Sequence, residues 1–205
     1  MARSTTSARE RLLVAAGDLF YERGLTATGV DTVARRAGVS KPTLYAQFTS
    51  KVALVAAVLE RRHARRMAEL DAWLEPIADV RQRPLAVFAW LGDWYGRDGS
   101  RGCAFVNAAA ELPERDDPAR VVTRCEKRWL AELLEQLAQD AGARDPARLG
   151  SQLQLLIDGV AARVVVHGPQ AAGDAVADAT RAAQVLLSAA APYGDAAQAG
   201  AGEDH

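Results

Sequence analysis

The chain has 205 residues, of which 49% are hydrophobic and 25% charged, with two cysteines and a formal net charge of −1. This composition is typical of a globular protein and excludes a disordered chain, and a chain of this length needs no disulfide or metal to fold. Residues 1–10 lack the apolar stretch of a signal peptide, and no run of about 18 apolar residues predicts a membrane span. We therefore expect a cytoplasmic protein with reduced thiols and no membrane association.

The charges are unevenly distributed along the chain. Residues 1–66 contain 12 Lys and Arg against 5 Asp and Glu, whereas residues 67–205 contain 13 against 21. A basic N-terminal third on an acidic remainder is typical of a modular DNA-binding protein, although a solvated basic face would produce the same numbers.

Helical periodicity runs through almost the whole chain, and no segment shows the sustained alternation of a strand. The predicted helices, in chain order, are about 7–23, 30–37, 41–48, 51–74, 84–96, 103–112, 119–141, 146–167 and 173–190. This pattern predicts an all-α fold with an N-terminal three-helix domain over 1–50 and a C-terminal helical domain over 51–191. The long fourth helix would link them, and we expect the small, polar tail 192–205 to be disordered.

The segment 30–48 predicts a helix-turn-helix. Ala34 is small where two helices must cross, and Gly38 can adopt the left-handed conformation that ends the first of them. Ser40 is a strong N-cap for the second, and Pro42 is tolerated in a first helical turn. Val39 is apolar within the turn. We therefore expect two short helices joined by a tight connection.

The outer face of the second short helix carries side chains that can read DNA. Leu44 and Phe48 are four residues apart and are expected to face the core, which leaves the outer face to Lys41, Thr43, Tyr45 and Gln47. Gln pairs with adenine, Lys with guanine acceptors, and the Thr methyl with thymine, whereas the Tyr phenol can reach a phosphate. A capped helix start at Ser50-Lys51 can hold a second phosphate. These features predict insertion of this helix into a major groove.

The pattern A-x-x-A-G-V-S-x-x-T-L-Y-x-x-F-x-S-K over residues 34–51 resembles the TetR/AcrR family of bacterial transcription regulators, and the match extends through the first four helices. The resemblance implies a three-helix DNA-binding domain, a C-terminal domain of about six helices, a homodimer and phosphate contacts from Tyr45 and Lys51. Many members have a basic or aromatic pair before the Phe, whereas this chain has Ala46-Gln47, which leaves the operator sequence open. The predicted DNA-binding residues are Thr28, Gly29, Val30, Ser40, Lys41, Pro42, Thr43, Tyr45, Ala46, Gln47 and Lys51.

An apolar stripe on the eighth predicted helix and small residues on the ninth predict a four-helix interface between two copies of the chain. Small residues let helices approach closely, and two-fold symmetry is the commonest oligomeric arrangement. The predicted interface residues are Leu149, Leu153, Leu156, Ile157, Val160, Val164, Ala179 and Ala183.

Large aromatic residues are concentrated on the fifth to seventh predicted helices. They are explained either by plain core packing or by an apolar pocket in which a few polar groups orient a small molecule. On the second interpretation an unidentified, mainly apolar effector binds between the fifth, sixth, seventh and eighth helices. The predicted lining residues are Trp90, Trp94, Phe105, Asn107, Trp129 and Arg163, with Glu111, Asp158 and His167 as further polar candidates. The segment 101–112, RGCAFVNAAAEL, resembles the sixth helix of a subgroup of regulators and supports a helical sensor domain.

The sequence contains no glycine-rich phosphate loop, nucleophile elbow, HExxH motif or paired-carboxylate motif, and its three histidines are scattered. We therefore expect no enzyme activity, no metal site and no cofactor. Cys103, near a helix start, is either redox-responsive or a small buried residue. Two functional hypotheses remain: a repressor that is released from a palindromic operator by a small apolar effector, and a constitutive DNA-binding protein without a ligand.

Overall fold

The computed structural model describes residues 7–112, 114 and 116–191. Its α-helices are α1 (Ala8–Arg23), α2 (Val30–Arg36), α3 (Lys41–Gln47), α4 (Lys51–Leu74), α5 (Arg83–Arg97), α6 (Ala104–Glu111), α7 (Pro118–Asp140), α8 (Pro146–His167) and α9 (Ala172–Ala190), with 3₁₀ turns at Val80–Gln82 and Pro169–Ala171. No strand occurs within the described ranges, and the expected all-α class is confirmed. Each predicted helix is present with ends within about one residue of those expected. The predicted tail 192–205 lies outside the described residues.

Local capping chemistry explains where the helices begin and end. The Ser7 side chain accepts a hydrogen bond from the Glu10 amide at 3.1 Å at the start of α1, and Gly24 ends that helix with a φ of +90°. The Asp145 carboxylate accepts from the Arg148 amide at 3.1 Å at the start of α8. Such caps satisfy amide groups that lack a partner within the helix.

The chain divides into two compact units that differ from the predicted domains. Within the described ranges, the first unit contains the residues up to Ala68 together with Cys103–Lys127, and the second contains Glu69–Gly102 together with the residues from Arg128 onward. The first unit therefore includes most of α4, all of α6 and the beginning of α7, in addition to α1, α2 and α3. A boundary at residue 50 did not anticipate this, because the attachment of α6 depends on contacts between residues far apart in the sequence.

The first unit has a core drawn from every one of its early helices. Its fully buried side chains include Leu12 of α1, Val33 of α2, Leu44 of α3 and Leu54 of α4. A polar contact joins α1 to the end of α2, since the Arg11 guanidinium donates to the carbonyl of Ala37 at 3.1 Å. The helix pair that contains α2 and α3 is thereby held against α1.

The second unit has a core to which α5, α8 and α9 contribute, and this core contains the residues predicted for the dimer interface. The stripe on α8 and the small residues of α9 are buried against their own chain, and Leu156 is partly buried against the same cluster. That assignment is therefore wrong for Leu149, Leu153, Ile157, Val160, Val164, Ala179 and Ala183. A helical period identifies the apolar face of a helix, but it does not say whether the same chain or a second copy covers that face.

Helix α8 is long and apolar enough, by length and composition, to cross a membrane, and it alone passes that test within the described part of the chain. Its buried side chains lie in the core cluster of the second unit. Packing in that core accounts for the apolar residues on the buried face of α8.

Candidate nucleic-acid interface

The turn between α2 and α3 is closed by two backbone hydrogen bonds. The Gly38 amide donates to the carbonyl of Arg35 at 3.2 Å, and the Val39 amide donates to the carbonyl of Ala34 at 3.0 Å. Gly38 has a φ of +64°, which a residue with a Cβ adopts only at a steric cost. This arrangement is a Schellman motif, and it ends α2 and turns the chain directly into α3.

Helix α3 begins at a well-formed cap. The Ser40 Oγ accepts the amide hydrogen of Thr43 at 3.2 Å and lies 2.8 Å from the Thr43 hydroxyl, and Pro42 lies in the first turn, as predicted. On the inner side, Leu44 is fully buried and Phe48 is 5% exposed. The Arg9 guanidinium lies 4.7 Å from the centre of the Phe48 ring. The inner face of α3 is thus fixed by packing and caps.

The opposite face of α3 is open to solvent. Tyr45 is 44% exposed, and Lys41, Pro42, Ala46 and Gln47 are also exposed. Thr43 is partly buried, in keeping with its bond to Ser40. The structure therefore leaves five of the predicted DNA-contacting side chains of α3 exposed to solvent.

The starts of α2 and α4 differ in their caps. At α4 the Ser50 Oγ accepts the Ala53 amide hydrogen at 3.1 Å, and Lys51 is the first helical residue. At α2 the N-cap is Gly29, which has no side chain to cap the helix. Val30, the first residue of α2, is partly buried.

The side chain of Thr28, predicted to contact DNA, is buried instead. Its side chain is only 2% exposed, and its hydroxyl donates to the carbonyl of Gly24 at 2.7 Å. The hydroxyl therefore stabilises the connection between α1 and α2 and is not available to DNA. Any DNA contact at this position would involve the backbone alone.

Lys41 has a partner that the sequence analysis missed. Its Nζ lies 3.0 Å from a carboxylate oxygen of Asp31, on α2. The hydrogen bond to Asp31, and then the attraction of the same charge, raise the pKa of Lys41 above its ordinary value. The sequence contains an indication of this ion pair, because an acidic residue early in α2 is followed by a lysine at the start of α3.

Glu111 was considered as a ligand group, but it has a different role. Its carboxylate accepts the amide hydrogen of Thr26 at 2.8 Å and lies against Gly24, where a Cβ would approach it to 3.0 Å. Helix α6 is therefore bonded to the loop that leads from α1 into α2. Since 85 positions separate the two bonded residues, no local sequence pattern indicates the contact.

The predicted effector-binding residues are divided between the two units. Phe105 and Asn107 belong to the first unit, and Trp90, Trp94, Trp129 and Arg163 belong to the second. Trp90 is buried, and its ring lies 6.5 Å from that of Trp94. Arg163 is exposed and forms an ion pair with Asp178 at 2.7 Å, and this hydrogen bond lowers the pKa of the Asp178 carboxyl.

A depression of about 360 Å³ in the second unit involves other residues. It lies where α7 and α9 end, beside the start of α8. Its lining residues are Arg81, Asp140, Ala141, Gly142, Ala143, Leu149, Leu187, Ser188 and Ala191. None of the six predicted effector-binding residues lines it.

The chain is similar to several known regulators. Residues 12–58 match the family described as bacterial regulatory proteins, tetR family. The transcriptional activator FasR of Mycolicibacterium smegmatis is 41% identical over 90 residues, which cover 44% of this chain and 41% of that protein, so this match spans less than half of FasR. The repressor ComR of Escherichia coli is 32% identical over 117 residues, or 56% of each chain.

A solved structure extends the similarity to nearly the whole chain. The crystal structure of a tetR-type transcriptional regulator from Streptomyces avermitilis is 34% identical, with a TM-score of 0.77, and the match covers 90% of this chain and 98% of that one. Together with the helix-turn-helix geometry of α2 and α3, this similarity shows that the chain belongs to the TetR family of transcriptional regulators.

Proposed function

We propose that the protein is a cytoplasmic, homodimeric repressor that binds a palindromic DNA operator and is released from it by a small apolar effector. The observation that carries the DNA-binding part is the exposed face of α3, with Tyr45 and Gln47 outside and Leu44 fully buried on the inside. A two-fold dimer presents two such helices to successive major grooves about 34–36 Å apart, which favours a palindromic site.

Repression is the simpler consequence of this arrangement, because a dimer that covers a promoter excludes other proteins from it. The name of ComR describes a repressor and that of FasR an activator, so both directions occur among the relatives. Sequencing of the genomic fragments that the purified protein retains locates its binding sites relative to promoters. This location tests whether the protein represses or activates transcription. Repression would be contradicted if the sites lie upstream of promoters and if transcription from those promoters falls when the gene for this protein is deleted.

The DNA-binding proposal is tested with the operator so obtained. Lys51→Ala should weaken binding about equally on all sequences and make the dependence of affinity on salt shallower by about 0.9, the value for one phosphate contact. Gln47→Ala should instead alter base preference at one position in each half-site. Fluorescence anisotropy at several salt concentrations measures both effects.

Lys127→Ala is the charge-matched control for this test, because it removes a lysine from α7 rather than from α4. It should leave operator affinity and salt dependence unchanged. A Lys51→Ala variant that behaves like this control would contradict the proposed docking.

Support for an effector comes from the tryptophans of the second unit and from α4. Trp94 and Trp129 are only partly buried, and α4 is one continuous helix with residues in both units. To lower DNA affinity, an effector must favour the DNA-incompetent state by about 1–3 kcal/mol, and DNA must then weaken effector binding reciprocally.

Titration of a metabolite and drug library against tryptophan fluorescence, with and without operator, tests regulation by an effector. A true effector should quench the fluorescence, and operator DNA should shift its titration to higher concentration. A compound that binds equally well in both conditions is not the effector. If no compound in the library changes operator affinity, the result favours the alternative of a constitutive DNA-binding protein.

A further inference from the structure

The first residue of α3, Lys41, is paired across the turn with the second residue of α2, Asp31, at 3.0 Å. Lys41 is the one cationic side chain in α3, whose sequence is KPTLYAQ. The side chains are 51% and 70% exposed, so the pair contributes little to the stability of the fold. Its position at the start of the proposed recognition helix indicates an effect on DNA binding instead.

The pair changes what α3 presents to DNA. An unpaired lysine attracts any phosphate, whatever the base sequence. With Asp31 beside it, that attraction is offset, and the carboxylate itself repels phosphate. The hydrogen bond orients the ammonium of Lys41 toward Asp31, and the same carboxylate raises the pKa of Lys41 above its ordinary value. The carboxylate can also accept a hydrogen bond from a cytosine amino group.

We propose that Asp31 is a positioning residue that directs Lys41 toward the correct operator and lowers the affinity of α3 for all other DNA. The inference rests on the proposed function, since it requires α3 to enter a groove. Specificity is a difference between affinities, and a repulsive group raises it by acting against the wrong partner. Asp31 would thus be a specificity-determining residue that lies outside the recognition helix.

The test compares wild-type protein with Asp31→Asn on the operator and on a duplex of random sequence, by fluorescence anisotropy at several salt concentrations. Without the carboxylate, Lys41 is free to bind a phosphate. Affinity for the random duplex should therefore rise, and its salt dependence should become steeper by about 0.9. The ratio of operator affinity to random-duplex affinity should fall by about tenfold. Asp31→Glu should restore most of the wild-type ratio.

Asp18→Asn is the matched control, because it removes the same charge from an exposed position on α1 in the same unit. It should leave the affinity ratio unchanged. The proposal is overturned if Asp31→Asn behaves like this control, or if it weakens binding to both duplexes equally, as a merely structural role would. Failure of the wild-type protein to prefer any operator would overturn the proposed function itself.

Discussion

Glu126, on α7, is a fully buried carboxylate in the first unit. One of its oxygens accepts a hydrogen bond from the Arg66 guanidinium of α4 at 2.8 Å, and Arg66 is only 15% exposed. The other oxygen is buried without a hydrogen-bond partner in the described part of the chain. A buried ion pair is costly to form, but removal of one partner costs far more, because the other charge then remains buried and uncompensated.

Arg66→Ala should therefore destabilise the protein by about 3–5 kcal/mol, whereas the double variant Arg66→Met, Glu126→Leu should be close to wild type. Urea unfolding followed by circular dichroism measures both. Arg65→Ala, at an exposed neighbouring position, is the control and should change stability by about 0.5 kcal/mol or less. Equal stabilities of the Arg66→Ala and Arg65→Ala variants would contradict a structural role for the pair.

At the scale of helices, we propose that the outward faces of α8 and α9, rather than the predicted residues, form the interface of the proposed dimer. Leu155 and Val166 on α8 and Val185 on α9 are about 70% exposed. Gly159 and Ala162, both exposed, lie on the same face of α8 as Leu155 and Val166, since these four positions follow helical spacing. A Cβ on Gly159 would meet no atom within 4 Å, so a second helix could approach closely there.

Leu155→Arg should convert the proposed dimer to a folded monomer, because it places a charge in the proposed apolar interface. Val160→Arg should instead unfold the second unit, since Val160 is 2% exposed in its core. Sedimentation velocity reports the association state and circular dichroism the fold. Val121→Arg, at a partly exposed position on α7 in the first unit, is the control and should remain dimeric. A wild-type protein that sediments as a monomer at micromolar concentration would contradict the interface.

Sequence reasoning succeeded for elements that depend on near neighbours. The caps at Ser40 and Ser50, the left-handed Gly38 and the inward Leu44 all follow from patterns of three or four residues, so α2, α3 and the start of α4 were located correctly. Such interactions form within one or two turns of helix, and the residues that make them are adjacent in the sequence.

At the scale of the whole molecule, contacts between segments that are distant in the sequence could not be predicted from the sequence. The bond from the Thr26 amide to Glu111 and the ion pair of Arg66 with Glu126 join residues 85 and 60 positions apart. Neither contact produces a periodic pattern in the sequence. For this reason α6 and α7 were assigned entirely to the second domain. The α8 stripe was recognised as apolar, but its covering partner, α9 of the same chain, is a property of tertiary packing.

The discontinuity of the first unit determines how the protein can be recombined with other regulators. A chimera joined after α3 would discard Arg66 and Glu111 together with α4 and α6. The Thr26 amide would then lose the carboxylate that accepts its hydrogen bond. A cut after Ala68 would keep Arg66 but separate it from Glu126. The part that can be exchanged between regulators is therefore the first unit. It consists of two stretches of sequence, the residues up to Ala68 and Cys103–Lys127, which must be transferred together. A new sensor would have to be grafted as two inserts, one between these stretches and one after them.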